Sequence, residues 1–93
     1  MSIYDFVKTH KDENLTFASF DGGSFYYHSE EIGLKVEFTP YRLNDCEFSS
    51  EETIMTLFEQ LGYYDELDFT HKGKFIGSLT NGNFKKFLEI GED

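Results

Sequence analysis

The segment Leu34-Lys35-Val36-Glu37-Phe38-Thr39 alternates apolar and polar side chains without a break. Successive side chains of a strand point to opposite faces. Leu34, Val36 and Phe38 would therefore share one face, and Lys35, Glu37 and Thr39 the other. A helix of this order would scatter its apolar groups around the axis, since its repeat is about 3.6 residues. The segment predicts a strand with one covered face and one wet face. That is the pattern of an antiparallel sheet, not of a parallel sheet buried on both sides. Pro40 ends the strand, because it has no N–H to give to a ladder.

The flanking residues extend this strand into a meander. Leu15 to Phe20 is a strand-like run, Asp21-Gly22-Gly23-Ser24 supplies the glycines of a tight turn, and Phe25 to Ser29 returns. Glu30-Glu31-Ile32-Gly33 turns again, with Gly33 free to take the positive φ that such a loop needs. In this frame the neighbours Tyr26 and Tyr27 point to opposite faces, so one of them meets solvent or a partner. Upstream, Ser2 followed by Asp5 reads as a helix start, and Ile3, Phe6 and Val7 form one apolar stripe ending near His10. Downstream, "LDFTHKGKFIGSL" predicts a second hairpin turning at Lys72-Gly73.

Two stretches carry the remaining local signals. Ser49 with Glu52 three residues on predicts a capping box, with Glu51 and Glu52 in the first turn of the helix it opens. Ile54, Leu57, Phe58 and Leu61 give that helix an apolar stripe, and Gly62 is placed to stop it as a C′ residue. Near the end of the chain, Asn81-Gly82 suits a hairpin. Thr80 as N-cap, with Phe84, Phe87 and Leu88 at helical spacing and Gly91 beyond, suits a helix. The adjacent Phe87 and Leu88, which a one-sided strand would split, favour the helix over residues 83–90. The expectation is one α+β domain over residues 1–93. Its antiparallel sheet has a three-strand meander and a second hairpin, packed with two or three short helices.

Composition supports a folded chain and restricts its partners. Eleven Phe and six Tyr stand among 93 residues, with no Trp. At roughly 150–250 Å² per buried ring, they can supply most of a small core. Eighteen acids against eight bases give a net charge of −10. Affinity for nucleic acid comes mainly from cations set against phosphate. This balance therefore argues against direct nucleic-acid binding and against an anionic membrane surface, and it favours a basic protein surface. The single cysteine, Cys46, cannot form an internal disulfide. The opening residues lack the basic head and apolar core of a signal peptide, and no apolar run approaches the roughly 20 residues of a membrane span. The expected setting is cytoplasmic.

Motifs for chemistry are missing from the sequence. "KGKFIGS" lacks the spacing and ending of a phosphate-binding loop. His10, His28 and His71 lie far apart, and Cys46 has no second ligand at short spacing. Asp65, Glu66 and Asp68 lack the alternating oxygens and glycine of a calcium loop. Asp45 and Glu47 beside Cys46 would raise a thiol pKa, the wrong direction for a nucleophile. No serine lies in a nucleophile elbow. The expectation is a protein without catalytic residues, metal or cofactor.

The charge is concentrated. From Asn44 to Phe69 the chain holds Asp45, Glu47, Glu51, Glu52, Glu59, Asp65, Glu66 and Asp68, and no Lys or Arg occurs between Arg42 and Lys72. A solvated helix commonly mixes signs, since i,i+4 pairs of opposite charge stabilise it. On the expected helix, Glu52 and Glu59 fall together opposite the apolar stripe. The expected partner-binding set is Glu51, Glu52, Met55, Glu59, Tyr63, Tyr64, Asp65, Glu66 and Asp68. Its carboxylates would engage a basic surface, with Met55 and the tyrosines as anchors.

In size, charge and aromatic content the chain resembles the small acidic proteins of phages and mobile elements that block restriction enzymes, CRISPR effectors or repair glycosylases. It is similar in the same respects to immunity proteins that neutralise nuclease toxins. This resemblance assigns no individual residue. It implies an anti-defence inhibitor acting as a DNA mimic on a nucleic-acid-processing enzyme. The alternative is a small self-associating α+β interaction domain, a possible homodimer, whose charge serves solubility.

Overall fold

Val36 and Phe38 each meet further apolar residues on both sides, because their strand runs through the middle of a sheet, while Leu34 lies between Ser29 and His71. The computed structural model describes residues 3–40, 49–62 and 65–83. Its elements are α1 (Ile3–His10), β1 (Asn14–Asp21), β2 (Ser24–Ser29), β3 (Leu34–Thr39), β4 (Glu51–Thr53), α2 (Ile54–Glu59), β5 (Glu66–His71) and β6 (Lys74–Thr80). The strands form one six-stranded sheet in the order β4-β1-β2-β3-β5-β6. Every neighbouring pair is antiparallel. The fold is α+β, as the alternation in β3 predicts.

Cross-strand partners explain the core. Tyr27 stands opposite Val36, and Val36 opposite Phe69, while Phe25, Phe38, Leu67 and Leu79 make the next row. Side chains directly opposite each other are close enough to pack, so each row becomes a continuous apolar band. The helices cover this one face: Phe6 and Val7 come from α1, and Ile54, Leu57 and Phe58 from α2, all buried. α1 approaches β6 where Gly77 has no side chain. A Cβ there would stand 3.1 Å from the Cβ of Ile3. The β5–β6 turn puts both Lys72 (φ 52°) and Gly73 (φ 81°) at positive φ, as a two-residue turn matched to strand twist requires.

The segment before α2 differs from the sequence expectation. Glu51 and Glu52 do not occupy a first helical turn. They belong to β4, whose residues Glu51, Glu52 and Thr53 pair with Thr16, Leu15 and Asn14. Ser49 and Glu52 do meet, Ser49 N donating to Glu52 Oε1 at 3.2 Å, but across the bend at Ser50 and the start of β4 rather than in a helical turn. The helix starts one capping box later. Thr56 N donates to Thr53 Oγ1 at 3.1 Å, and Thr53 N donates to Thr56 Oγ1 at 2.7 Å. The physical reason is the edge of β1, where Leu15 is fully buried and its strand's outer polar groups need partners. Pairing with β4 supplies them, and Phe17 N adds a bond to Ser50 O at 2.8 Å. The other end is corrected too. Gln60 caps α2 with φ −93°, and Gly62 is not among the positive-φ glycines.

At the C-terminal side, the helix expected over residues 83–90 lies outside the described residues except for Asn83. Residues 81–83 are helical, and Asn83 N reaches Thr80 Oγ1 at a long 3.4 Å, the geometry of an N-cap. Phe84, Phe87 and Leu88 lie outside the described residues. Among the described residues, no helix is long and apolar enough to cross a membrane.

Candidate functional site

The polar face of the sheet is as ordered as its core. With the helices on the opposite side, the wet positions of five strands line up in rows. One row runs Ser19, Tyr26, Glu37, Asp68, Ser78. The next runs Asp21, Ser24, Thr39, Glu66, Thr80. Ser24 of β2 and Thr39 of β3 face each other across the two central strands, and their hydroxyls meet at 3.0 Å. Together the two rows hold four carboxylates and one phenol, with no Lys, Arg or His. The nearest base on this face is Lys35, one row further along, between His28 and Thr70.

Glu37 and Asp68 are direct cross-strand partners. Like charges so placed cost roughly 0.2–1 kcal/mol. Asp68 is held in position by the Ser78 hydroxyl, which donates to its Oδ1. The crowding shows in the protonation equilibria. Burial pushes the Glu66 carboxyl above its ordinary value, and the charges of Asp68 and Glu37 push it further. Burial, then Glu37 and Asp21, likewise raise the Tyr26 phenol. Tyr26 therefore stays a neutral hydrogen-bond donor inside an anionic patch. The arrangement offers fixed acceptors and one aromatic plate, which suits recognition of a cationic surface. Among the described residues, no three His, Cys, Asp or Glu side chains gather as a metal site.

The sequence-predicted set divides on this fold. Glu66 and Asp68 sit in the two acidic rows. Glu51 is exposed on the same face at the far edge, opposite Thr16. Glu59 is exposed on α2, across the sheet from these three. Met55 is half-buried against the core. Glu52 is not Glu59's neighbour on a helix face, because it pairs with Leu15 in β4. It accepts from Gln60 Nε2 at 3.2 Å as well as from Ser49. Burial pushes its carboxyl up, but hydrogen bonds from Thr56, Ser49 and Gln60 outweigh that and hold it below its ordinary value. Asp65 is only 6% exposed and accepts from Gly62 N at 2.6 Å, so its carboxylate serves the α2–β5 connection. Tyr63 and Tyr64 lie outside the described residues.

Sequence reasoning missed Glu37 and Asp21, and left Tyr26 open. The alternation of β3 already placed Glu37 on the wet face. What it could not supply was the register that sets Glu37 against Asp68, 31 positions later in the chain. Compared with protein-family models, with curated proteins and with solved structures, the chain finds no match in any of the three.

Proposed function

We propose that this protein is a non-enzymatic acidic binding protein that uses the open face of its sheet to occupy a basic surface of a target protein. The target class that fits is a nucleic-acid-processing enzyme, whose cationic groove is built for a polyanion. Occupying that groove would make the protein an inhibitor and its acidic rows a substitute for phosphate. One observation supports this above the others: Glu37 is set directly against Asp68, with Glu66, Asp21 and Tyr26 around them and no base in either row. Solubility requires charge but not this placement. Distributed charge would keep the protein in solution without the cross-strand repulsion.

The test is capture of the target from a host lysate, its identification by mass spectrometry, and titration of the purified pair. Glu37→Lys/Asp68→Lys should weaken binding at least tenfold while the circular dichroism spectrum is retained. The wild-type affinity should fall steeply with added salt. Unchanged affinity in the folded double variant would sink the reading. Glu59→Lys, on the other side of the sheet, reports whether α2 shares the interface.

Self-association has one observation in its favour, the exposure of Phe17 and Phe20 on β1. Sedimentation at rising concentration decides it, and a strictly monomeric protein removes it.

A further inference from the structure

The open face carries one row of the opposite sign. Beyond the row of Tyr26, Glu37 and Asp68 come His28, Lys35 and Thr70, which are cross-strand partners in register. Successive rows on one face lie two residues apart along each strand, about 7 Å. Lys35 is exposed on β3, one of the two central strands. Its direct partners, His28 and Thr70, are not acids, and Glu37 stands two residues along the same strand. An ammonium group thus shares the face on which the carboxylates are crowded.

Two hollows meet at this row. One, of about 320 Å³, is lined by Ser19, Asp21, Tyr26, His28 and Lys35. The other, of about 210 Å³, runs from His28 and Lys35 toward Gly33 and Gly73. The first hollow is bipolar. It holds the carboxylate of Asp21, the ammonium of Lys35 and the imidazole of His28, and Tyr26 lies on the strand between Asp21 and Lys35. A uniform polycation fits such a face poorly, because it gains at Glu37, Glu66 and Asp68 but sets a like charge against Lys35. A surface with a carboxylate one row beyond its cations gains at both places. A contact that repels the wrong partner contributes to specificity as much as one that attracts the right partner.

Resting on the acidic-binding reading, we infer that Lys35, with His28 beside it, receives a carboxylate of the same basic partner and so fixes the partner's orientation on the face. The partner surface is bipolar: Lys or Arg over Glu37, Asp68 and Glu66, and an Asp or Glu side chain about 7 Å further along the strands. That carboxylate accepts from the Lys35 ammonium and from an imidazole N–H of His28. A basic groove with carboxylates of its own, such as metal-dependent nucleic-acid enzymes use to hold their ions, has this pattern.

The experiment titrates the isotope-labelled full chain by NMR with three capped peptides at one ionic strength. The first is Lys-Ser-Lys-Ser-Asp, the second ends in Asn instead, and the third ends in Lys. Alternate residues of an extended peptide are about 7 Å apart, the spacing of the rows. The Asp peptide should bind about threefold more tightly than the Asn peptide and shift His28 and Lys35. The Lys peptide should bind no more tightly than the Asn peptide, although its charge is the highest. In Lys35→Gln the order should reverse and follow net charge, with the Lys peptide first. Lys72→Gln, which removes a cation from the β5–β6 turn, should keep the wild-type order. An Asp peptide that binds no better than the Asn peptide, or an order that Lys72→Gln also reverses, overturns the inference. Shifts at Tyr26, Glu37 and Asp68 with the basic peptides would then still support the acidic face. No shift at those three residues with any peptide overturns the acidic-binding reading, and the inference with it.

Discussion

At the scale of the residue, Tyr26 and Tyr27 show how one step along a strand separates the core from the open acidic face. Tyr27 is fully buried, and its hydroxyl donates to Ser49 O at 2.7 Å. Burial, with the charge of Glu52, lifts its phenol to about 12. Tyr27→Phe leaves the Ser49 carbonyl without this donor and should cost about 1 kcal/mol. Urea unfolding would show a lower midpoint at unchanged slope. Glu37→Gln acts in the opposite sense. Removing the charge facing Asp68 should raise stability by about 0.5 kcal/mol at low salt, while weakening any basic partner. Two glutamates should also give opposite pH signatures. The Glu66 carboxyl is raised in the fold, so its protonation favours folding. Its contribution is complete below the ordinary 4.5 and is lost as pH rises through the folded value. The Glu52 carboxyl is lowered, so its contribution is present above 4.5 and is lost as pH falls through the folded value. The stability difference between wild type and Glu66→Gln should therefore favour the variant at pH 7 and shrink toward acid. For Glu52→Gln it should favour the wild type at pH 7 and shrink toward acid.

At the scale of the element, the meander, α1 and the second hairpin are legible because each is a local pattern. Periods of two or of about 3.6 residues, with glycines at the turns, need no knowledge of distant chain. The start of α2 is not legible in that way. Ser49–Glu52 and Thr53–Thr56 both offer a capping pair, and a three-residue edge strand has too few positions to show a period. Tertiary pairing chooses between them, since only the later start leaves Glu51–Thr53 free to pair with β1. Thr53→Ala should accordingly cost about 1 kcal/mol, and Ser49→Ala should cost less, a ranking that thermal unfolding can check. The candidate site is legible only in part for the same reason. Acid density marks Glu66 and Asp68, whereas their neighbours Glu37 and Asp21 come from strands far earlier in the chain.

At the scale of the whole molecule, the fold separates apolar and ionic layers across one sheet. The helix side carries nearly all the buried hydrophobic area, and the other side carries the crowded acids. Screening within a Debye length of about 10 Å at 0.1 M salt reaches the open face far better than the core. Raising sodium chloride from low concentration to about 0.3 M should thus raise the melting temperature. In Glu37→Lys/Asp68→Lys the same increment should be visibly smaller, and an equal increment would place the repulsion elsewhere. The sheet order has a temporal consequence as well. β1-β2-β3 and β5-β6 are each made of short hairpins, while the chain between them travels to the far edge, forms β4 and comes back under the sheet. The two blocks meet along the β3–β5 ladder from Leu34–His71 to Thr39–Glu66, and Lys72 N adds a bond to Gly33 O at 2.7 Å beyond its turn end. Hairpins close in about 1–10 μs, so the blocks can form early and independently. Their docking closes the longer loop between β3 and β5, so it is expected to be slower than either hairpin, and with it the acidic rows come into being.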